Sequence, residues 1–386
     1  MTQTHEPDAA PKAVPTGIQL TTLDPRYRED PYPVLDELRE ADPVHHDRQL
    51  NRYVLTRHDD VHEILQNRAH SVDPRKANPG TFEAMFASPY EDSQPSMLFS
   101  DPPYHTRLRS LVTKAFTPKA VEALRPHIED VCNELLDAVA GGDGFDVMSA
   151  YAVPLPTIII AEMLGVDPAD RDDFKRWSDD GVQGFNPQRT PEQTRAMEQG
   201  HIAMHEYLLR AVTERRARPR EDMITALIDA RDENGDSLTD QEIVTMCSLL
   251  LAAGNVTTTD LIGNGVRALL MHTAELRKLR DDPSLIKNAV EEILRFDTPV
   301  TQSGRTPLSD ITVAGCPVAA GDSITPSLAA ANRDPALHAD PDRFDITRED
   351  THHHAFGGGI HTCLGAPLAR LEGQVALATL FARFPH

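Results

Sequence analysis

Positive charge is short in this chain: 38 Lys and Arg stand against 60 Asp and Glu, a net of −22 over 386 residues. That balance argues against nucleic acid or an anionic membrane surface as a partner, while leaving room for local basic patches. Cysteine is sparse too. The four present, at positions 132, 247, 316 and 363, have no regular spacing and make no disulfide framework, which suits a reducing, cytoplasmic compartment. No apolar run has the ~20 residues that a spanning helix needs, and the first residues, MTQTHEPDAAPKAVPTG, lack the apolar core of a signal peptide. A cytoplasmic protein with no membrane contact is expected. Internal repeats and glycine- or serine-rich linkers are also missing. Residues 1–24, polar and proline-bearing, therefore read as a flexible tail, and residues 25–386 as a single domain.

What is present is mostly helical in period. Apolar residues recur at helical spacing over Tyr32 to Arg39, Val61 to Asn67, Val121 to Val139, Leu155 to Leu164, Glu192 to Arg215, Asp222 to Arg231, Gln241 to His272 and Ile286 to Arg295. Strand signals are short, the clearest being Tyr53 to Thr56 and Ile311 to Val313. The pattern predicts a mainly α chain with small β-sheets. Gln241 to His272 has little polar face in its middle and is expected to be the central buried helix. Its segment AAGNVTTTD, with a glycine and a run of β-branched hydroxyl residues, predicts a local distortion there.

Residues 356–365 read FGGGIHTCLG and set Cys363 in a glycine-rich turn. Glycines 357, 358 and 359 allow positive φ and close approach to a flat partner. Leu368, Leu371, Val375, Leu380, Phe381 and Phe384 predict a helix that begins just after Cys363 and points its positive end at the sulfur, which favours thiolate. An axial thiolate on haem iron would favour O–O cleavage. A zinc site at His361 and Cys363 would need two more ligands at short spacing, and Cys132, Cys247 and Cys316 stand alone in sequence. His352, His353 and His354 are consecutive, so in an extended loop their side chains diverge, and packing accounts for them better than chelation of one ion.

Phe356, Gly357, Gly359, His361, Cys363 and Gly365 match F-G-x-G-x-H-x-C-x-G, and here the chain resembles the cytochrome P-450 family. The resemblance runs from about residue 25 to the end. It implies the triangular, mainly α fold with a long helix over the haem, and haem b held by Cys363 as axial ligand of the iron. Ala253, Gly254, Asn255 and Thr257 match that helix's A-G-x-D/E-T, which gives Thr257 the role of holding a water on the oxygen-binding side. Val256 stands where the family usually has an acid, so the proton route departs from the pattern, and Asp260, one turn on, is the candidate substitute. His105 and Arg109 match H-x-x-x-R, and with Arg305 and His361 they fall at the positions that bind the haem propionates. Glu292 and Arg295, followed by Arg333, resemble the family's buried Glu-Arg-Arg cluster, which has a folding role.

The implied reaction is insertion of one oxygen atom from O2 into a small hydrophobic substrate by a monomeric enzyme. Electrons would come from NAD(P)H through a separate ferredoxin reductase and ferredoxin, for which Arg107 and Lys114 are candidate docking cations. A peroxide-driven peroxygenase and a non-catalytic haem-binding sensor are the alternatives. Ser71 to Ser100, with Phe82, Met85, Phe86, Tyr90, Met97 and Leu98, resembles the variable loop over the substrate pocket, and Gly181 to Arg189 part of its lid. Val256 and Val300 add apolar wall, pointing to a terpenoid, steroid or aromatic compound. Family members continue past the cysteine-side helix into further strands, so the end at His386 reads as a truncation.

Overall fold

The computed structural model describes residues 14–87, 95–113, 116–186 and 188–384. Tyr90, Lys114 and Pro187 lie outside these, as does most of the expected tail. The part of that tail within them is tied down. Asp47 Oδ1 accepts from Thr16 Oγ1 at 2.7 Å and from the Gly17 amide at 2.9 Å, and Leu20 is buried.

Helices dominate, as the periodicity predicts. The longest, Asp240–Met271, opens with a capping box in which Thr239 and Glu242 satisfy each other's amides. Its buried face runs from Ile243 and Cys247 through Leu261 to Leu269, inside a core that also takes residues from Pro154–Leu164, Pro191–Ala217, Ile286–Phe296 and Ala366–Arg383. Two glycines let these helices cross closely. A Cβ on Gly265 would lie 2.9 Å from Leu377 Cδ1, and one on Gly373 3.1 Å from Leu261 Cδ2. Either addition pushes apart the long helix and the helix that follows Cys363.

Two helical expectations need correction. The distortion expected around AAGNVTTTD is not there: Asp240–Met271 is one α-helix throughout, and Thr257 Oγ1 donates to the Ala253 carbonyl one turn back at 2.8 Å without breaking it. Val121 to Val139 is two helices, Pro118–Glu122 and Arg125–Asp137, because Pro126 has no amide to continue the ladder and starts a new first turn instead.

Among the described residues the strands are β1 Val44–Asp47, β2 Arg52–Leu55, β3 His70–Ser71, β4 Thr306–Pro307, β5 Ile311–Val313, β6 Cys316–Val318 and β7 Ile324–Pro326. β2 lies between β1, antiparallel with Val44 opposite Leu55, and β7, parallel with Tyr53 opposite Ile324. β3 pairs with β4 and β5 with β6. The β3–β4 pair sets His70 and its neighbours beside the segment that carries Arg305. No helix among the described residues is long and apolar enough to cross a membrane.

Candidate functional site

Cys363 is exposed, and its loop is closed by its own amide donating to the Phe356 carbonyl at 2.9 Å. Gly357 and Gly359 take the positive φ values of +69° and +65° that the sequence predicts, whereas Gly358 is extended at −166°. Gly359 also meets a packing demand: a Cβ there would lie 2.4 Å from the Leu65 carbonyl oxygen, in the last turn of the helix His58–Gln66. The helix Ala366–Arg383 begins three residues after the cysteine, with Gly365 as N-cap and Pro367 in the first turn. The Gly365 and Ala366 amides, with Arg109 and Arg370, pull the thiol toward thiolate, but crowding by protein outweighs them and the net direction is up. The helix end alone therefore does not make the thiolate that the sequence led us to expect. A ligated metal would reverse the sign.

Phe356 lies under the Arg370 guanidinium at 4.4 Å, and Glu291 holds Arg370 through two bonds of 2.7 and 2.9 Å. Burial alone would raise the Glu291 carboxyl, but bonds from His353 and Arg370 hold it down at about 2. The base of the cysteine loop is thus fastened by charge-assisted contacts.

A second group of side chains gathers at one edge of the loop. The His105 and His361 rings are 4.2 Å apart, Arg109 donates to the Thr362 carbonyl at 2.6 Å, and Arg305 is buried nearby. Burial, then His105, Arg305 and Arg109, push the His361 imidazole down to about 3; burial lowers Arg305 to about 10. Both ring nitrogens of His105 are buried without a hydrogen-bond partner, as is Nδ1 of His70. Of the nearby acids, Asp101 is bonded to Lys76 and Ser71, and Glu83 is pushed up to about 7 by burial. Two arginines with neutral histidines that can donate, some of them buried and unpaired, fit an anionic partner such as the carboxylates of haem. A cleft of about 1150 Å3 opens here, lined by His70, His105, Arg109, Gly359, Ile360 and Thr362 among others. His70 was missed in the sequence reading, because only the pairing of β3 with β4 brings it to Arg305.

On the long helix, Ala253, Val256, Thr257 and Asp260 form one stripe, Ala253 exposed and the others half-buried. Gly254 and Asn255 face away: Asn255 is buried and accepts from Thr157 Oγ1 at 2.8 Å, and Gly254 packs toward Ile160. Burial, then the neighbouring Asp297 carboxylate, pushes Asp260 up to about 6. Glu372, on the helix after Cys363, is buried, hydrogen-bonded to Thr258 and pushed up to about 8 by burial. It was also missed, although a glutamate on an otherwise apolar helix face is a visible signal.

Glu292 and Arg295 are fully buried and bidentate at 2.7 and 2.9 Å. Arg295 also donates to the carbonyls of Asn332, Pro341 and Arg343. The second arginine on Glu292 is Arg348, at 3.3 Å, and not Arg333. Arg333 is drawn instead between the rings of Tyr32 and Phe296, where it donates to the Phe296 carbonyl. Arg107 is not a free surface cation either, since Glu242 at 2.6 Å and the Ser237 carbonyl at 2.7 Å hold its guanidinium. Among the described residues of the 71–100 segment Phe82 and Met97 are buried, Phe82 against Phe86 and Arg52, while Met85 and Leu98 are exposed.

Known proteins resemble this chain over nearly its whole length. The family model for Cytochrome P450 matches residues 185–386. Cytochrome P450 107B1 of Saccharopolyspora erythraea is 40% identical over 381 residues, covering 95% of this chain and 90% of the relative. A vitamin D(3) 25-hydroxylase of Pseudonocardia autotrophica is 42% identical over 367 residues, with 93% and 88% covered. Among solved structures, P450BioI in complex with an acyl-carrier protein bearing hexadec-9Z-enoic acid superposes with a TM-score of 0.87 at 34% identity, over 94% of this chain and 93% of that one. With likeness of that extent along nearly its whole length, the chain belongs to the cytochrome P450 family of haem-dependent monooxygenases.

Proposed function

We propose that this monooxygenase hydroxylates a small hydrophobic molecule in the cytoplasm, acting as a monomer and drawing electrons from NAD(P)H through a separate ferredoxin reductase and ferredoxin. The observation that carries the reading is the exposed Cys363 beside buried His70, His105 and Arg305, the first two with unpaired ring nitrogens, and half-buried Arg109 and His361. Cys363 would hold the haem iron through its sulfur, and the other five would hold the haem carboxylates. When bound, haem supplies a thiolate-ligated iron whose electron-rich sulfur favours O–O cleavage.

The remaining chemistry belongs to side chains. Thr257 spends its hydroxyl proton on the Ala253 carbonyl, so its oxygen is left to accept from a water on the stripe. Val256 can neither give nor take a proton. Asp260 shares that stripe, and with its pKa near 6 it is protonated part of the time at neutral pH, as a proton donor must be. Ala253, Val256 and the exposed Val300 offer apolar surface to a substrate. Likeness to a vitamin D(3) 25-hydroxylase supports a terpenoid or steroid among the apolar candidates. Val256 also favours a second reading, a peroxide-driven peroxygenase, because peroxide brings its own protons and needs no carrier at 256.

The test combines spectrum and turnover. Reduced, carbonylated wild type is expected to show the red-shifted thiolate band, and Cys363→His to keep some haem while losing that band and oxygen insertion. A folded, haem-loaded wild type without the band would refute the ligand assignment. Product with O2, NAD(P)H and an added ferredoxin pair, but not with peroxide alone, supports the first reading over the second.

A further inference from the structure

Three histidines that the haem chemistry leaves unused converge where the helix His58–Gln66 meets the segment before the cysteine loop. His58 and His62 are four apart in the helix His58–Gln66, so they share one face, and His354 comes from the segment leading into the cysteine loop. One ring nitrogen from each lies within 4.8 Å of the other two. His352 and His353 point elsewhere, His352 outward beside Asp350 and His353 to Glu291, so the divergence of consecutive histidines holds and only the third joins the group.

Two of the three rings are held in place with the nitrogen needed for a metal left free. His58 Nδ1 meets Asp59 Oδ1 at 3.2 Å, and its Nε2 is buried with no hydrogen-bond partner. The His354 ring is hydrogen-bonded to the Gly357 backbone, and its Nε2 is likewise buried and unpaired; the residue is 5% exposed. A neutral imidazole fixed through one nitrogen by a carboxylate or carbonyl, with the other nitrogen bare, is how metal-bound histidines are arranged. Burying such nitrogens unpaired is otherwise costly. His62 is exposed and can swing in to complete the set.

We propose that His58, His62 and His354 bind one divalent late-transition ion, zinc being the best match. Three neutral imidazoles and an open vertex toward solvent suit Zn2+, whereas Mg2+ and Ca2+ prefer oxygen. Zn–N bonds of about 2.0–2.1 Å in a tetrahedron put the nitrogens about 3.3 Å apart, so from within 4.8 Å the site closes by rotation of His62 together with small adjustments of the His58 and His354 rings. The ion would clip the helix His58–Gln66 to the segment that leads through Phe356 to Cys363, at the far end from where the Leu65 carbonyl meets Gly359.

Haem-loaded full-length protein, treated with a chelator and dialysed against ZnCl2, is expected to hold one zinc per chain by elemental analysis. His62→Ala, at an exposed position that leaves the fold intact, and His354→Leu should each weaken binding at least tenfold. Asp59→Asn, which loosens the His58 ring, should weaken it by about 10-fold. His352→Ala should leave it unchanged, and zinc should raise the melting temperature of wild type but not of His62→Ala. Wild type that takes up no zinc, or His62→Ala that binds it as tightly as wild type, overturns the proposal.

Discussion

Valine at 256 removes a proton carrier from a place where a neighbour still offers one. On the proposed route Asp260 is the acid on the open side of the long helix, and its pKa near 6 suits the task. Val256→Asp should therefore raise the product formed per NAD(P)H consumed toward one, and Asp260→Ala should lower it; a well-placed general acid is worth about 10²–10⁴-fold in the rate of the step it serves, and the gain at 256 should fall below that range because one carrier already exists. The measurement is product against peroxide released, with an added ferredoxin pair. If Val256→Asp leaves that ratio unchanged and only weakens substrate binding, the valine is pocket wall and the proton route lies elsewhere. At this scale the sequence was legible wherever a motif fixes neighbours in order: Cys363, Gly357, Gly359, His105 and His361 all sit at one site. It was silent on His70 and Glu372, whose partners Arg305 and Thr258 are far away in the chain.

Among the elements, the helix Ile286–Phe296 shows how one buried pair can hold several segments. Arg295 answers Glu292 and three carbonyls of the 332–343 segment, and Glu292 in turn takes the Asp345 amide and Arg348. Arg295→Ala takes the bidentate partner from a fully buried carboxylate, leaving it only Arg348 at 3.3 Å and the Asp345 amide, and should cost about 3–5 kcal/mol, seen as lost haem or lost soluble protein. Glu292→Ala should behave alike. A soluble, fully haem-loaded Arg295→Ala protein would contradict the folding role. Periodicity found these helices because each buries one stripe, yet it ran Val121 to Val139 together, since a proline in a first turn leaves the apolar spacing on either side intact. It also placed a distortion in the long helix where packing of Leu251, Leu261 and Ile262 on neighbouring helices outweighs weak local propensity.

For the whole molecule, buried acids tie stability to pH. Glu372 has a folded pKa of about 8 against 4.5 for an unconstrained glutamate, so folding takes up a proton between those values. Stability is then fully present below pH 4.5 and is lost as pH rises through 8, with a slope of at most about 1.4 kcal/mol per pH unit from this one group. Glu83 and Asp260 act in the same direction. Glu372→Gln keeps a neutral partner for Thr258 and should flatten the fall in melting temperature from pH 5 to 8. An unchanged pH profile in that variant would mean the carboxyl is ionised in the folded protein.

Local chemistry decided much before any tertiary contact formed. Spacing of apolar residues set the helices, glycines set the turn before Cys363, and the motif around that cysteine named the cofactor. These features depend on residues within a turn or two of each other, which a linear sequence displays directly. Only the fold decided that Arg348 and not Arg333 answers Glu292, that Glu242 takes Arg107, and that His354 meets His58 and His62. In each case the partners are tens to hundreds of residues apart, and competing partners of the same chemistry exist. Which one wins depends on where packed helices bring the charges, and that geometry appears only when the chain has closed on itself.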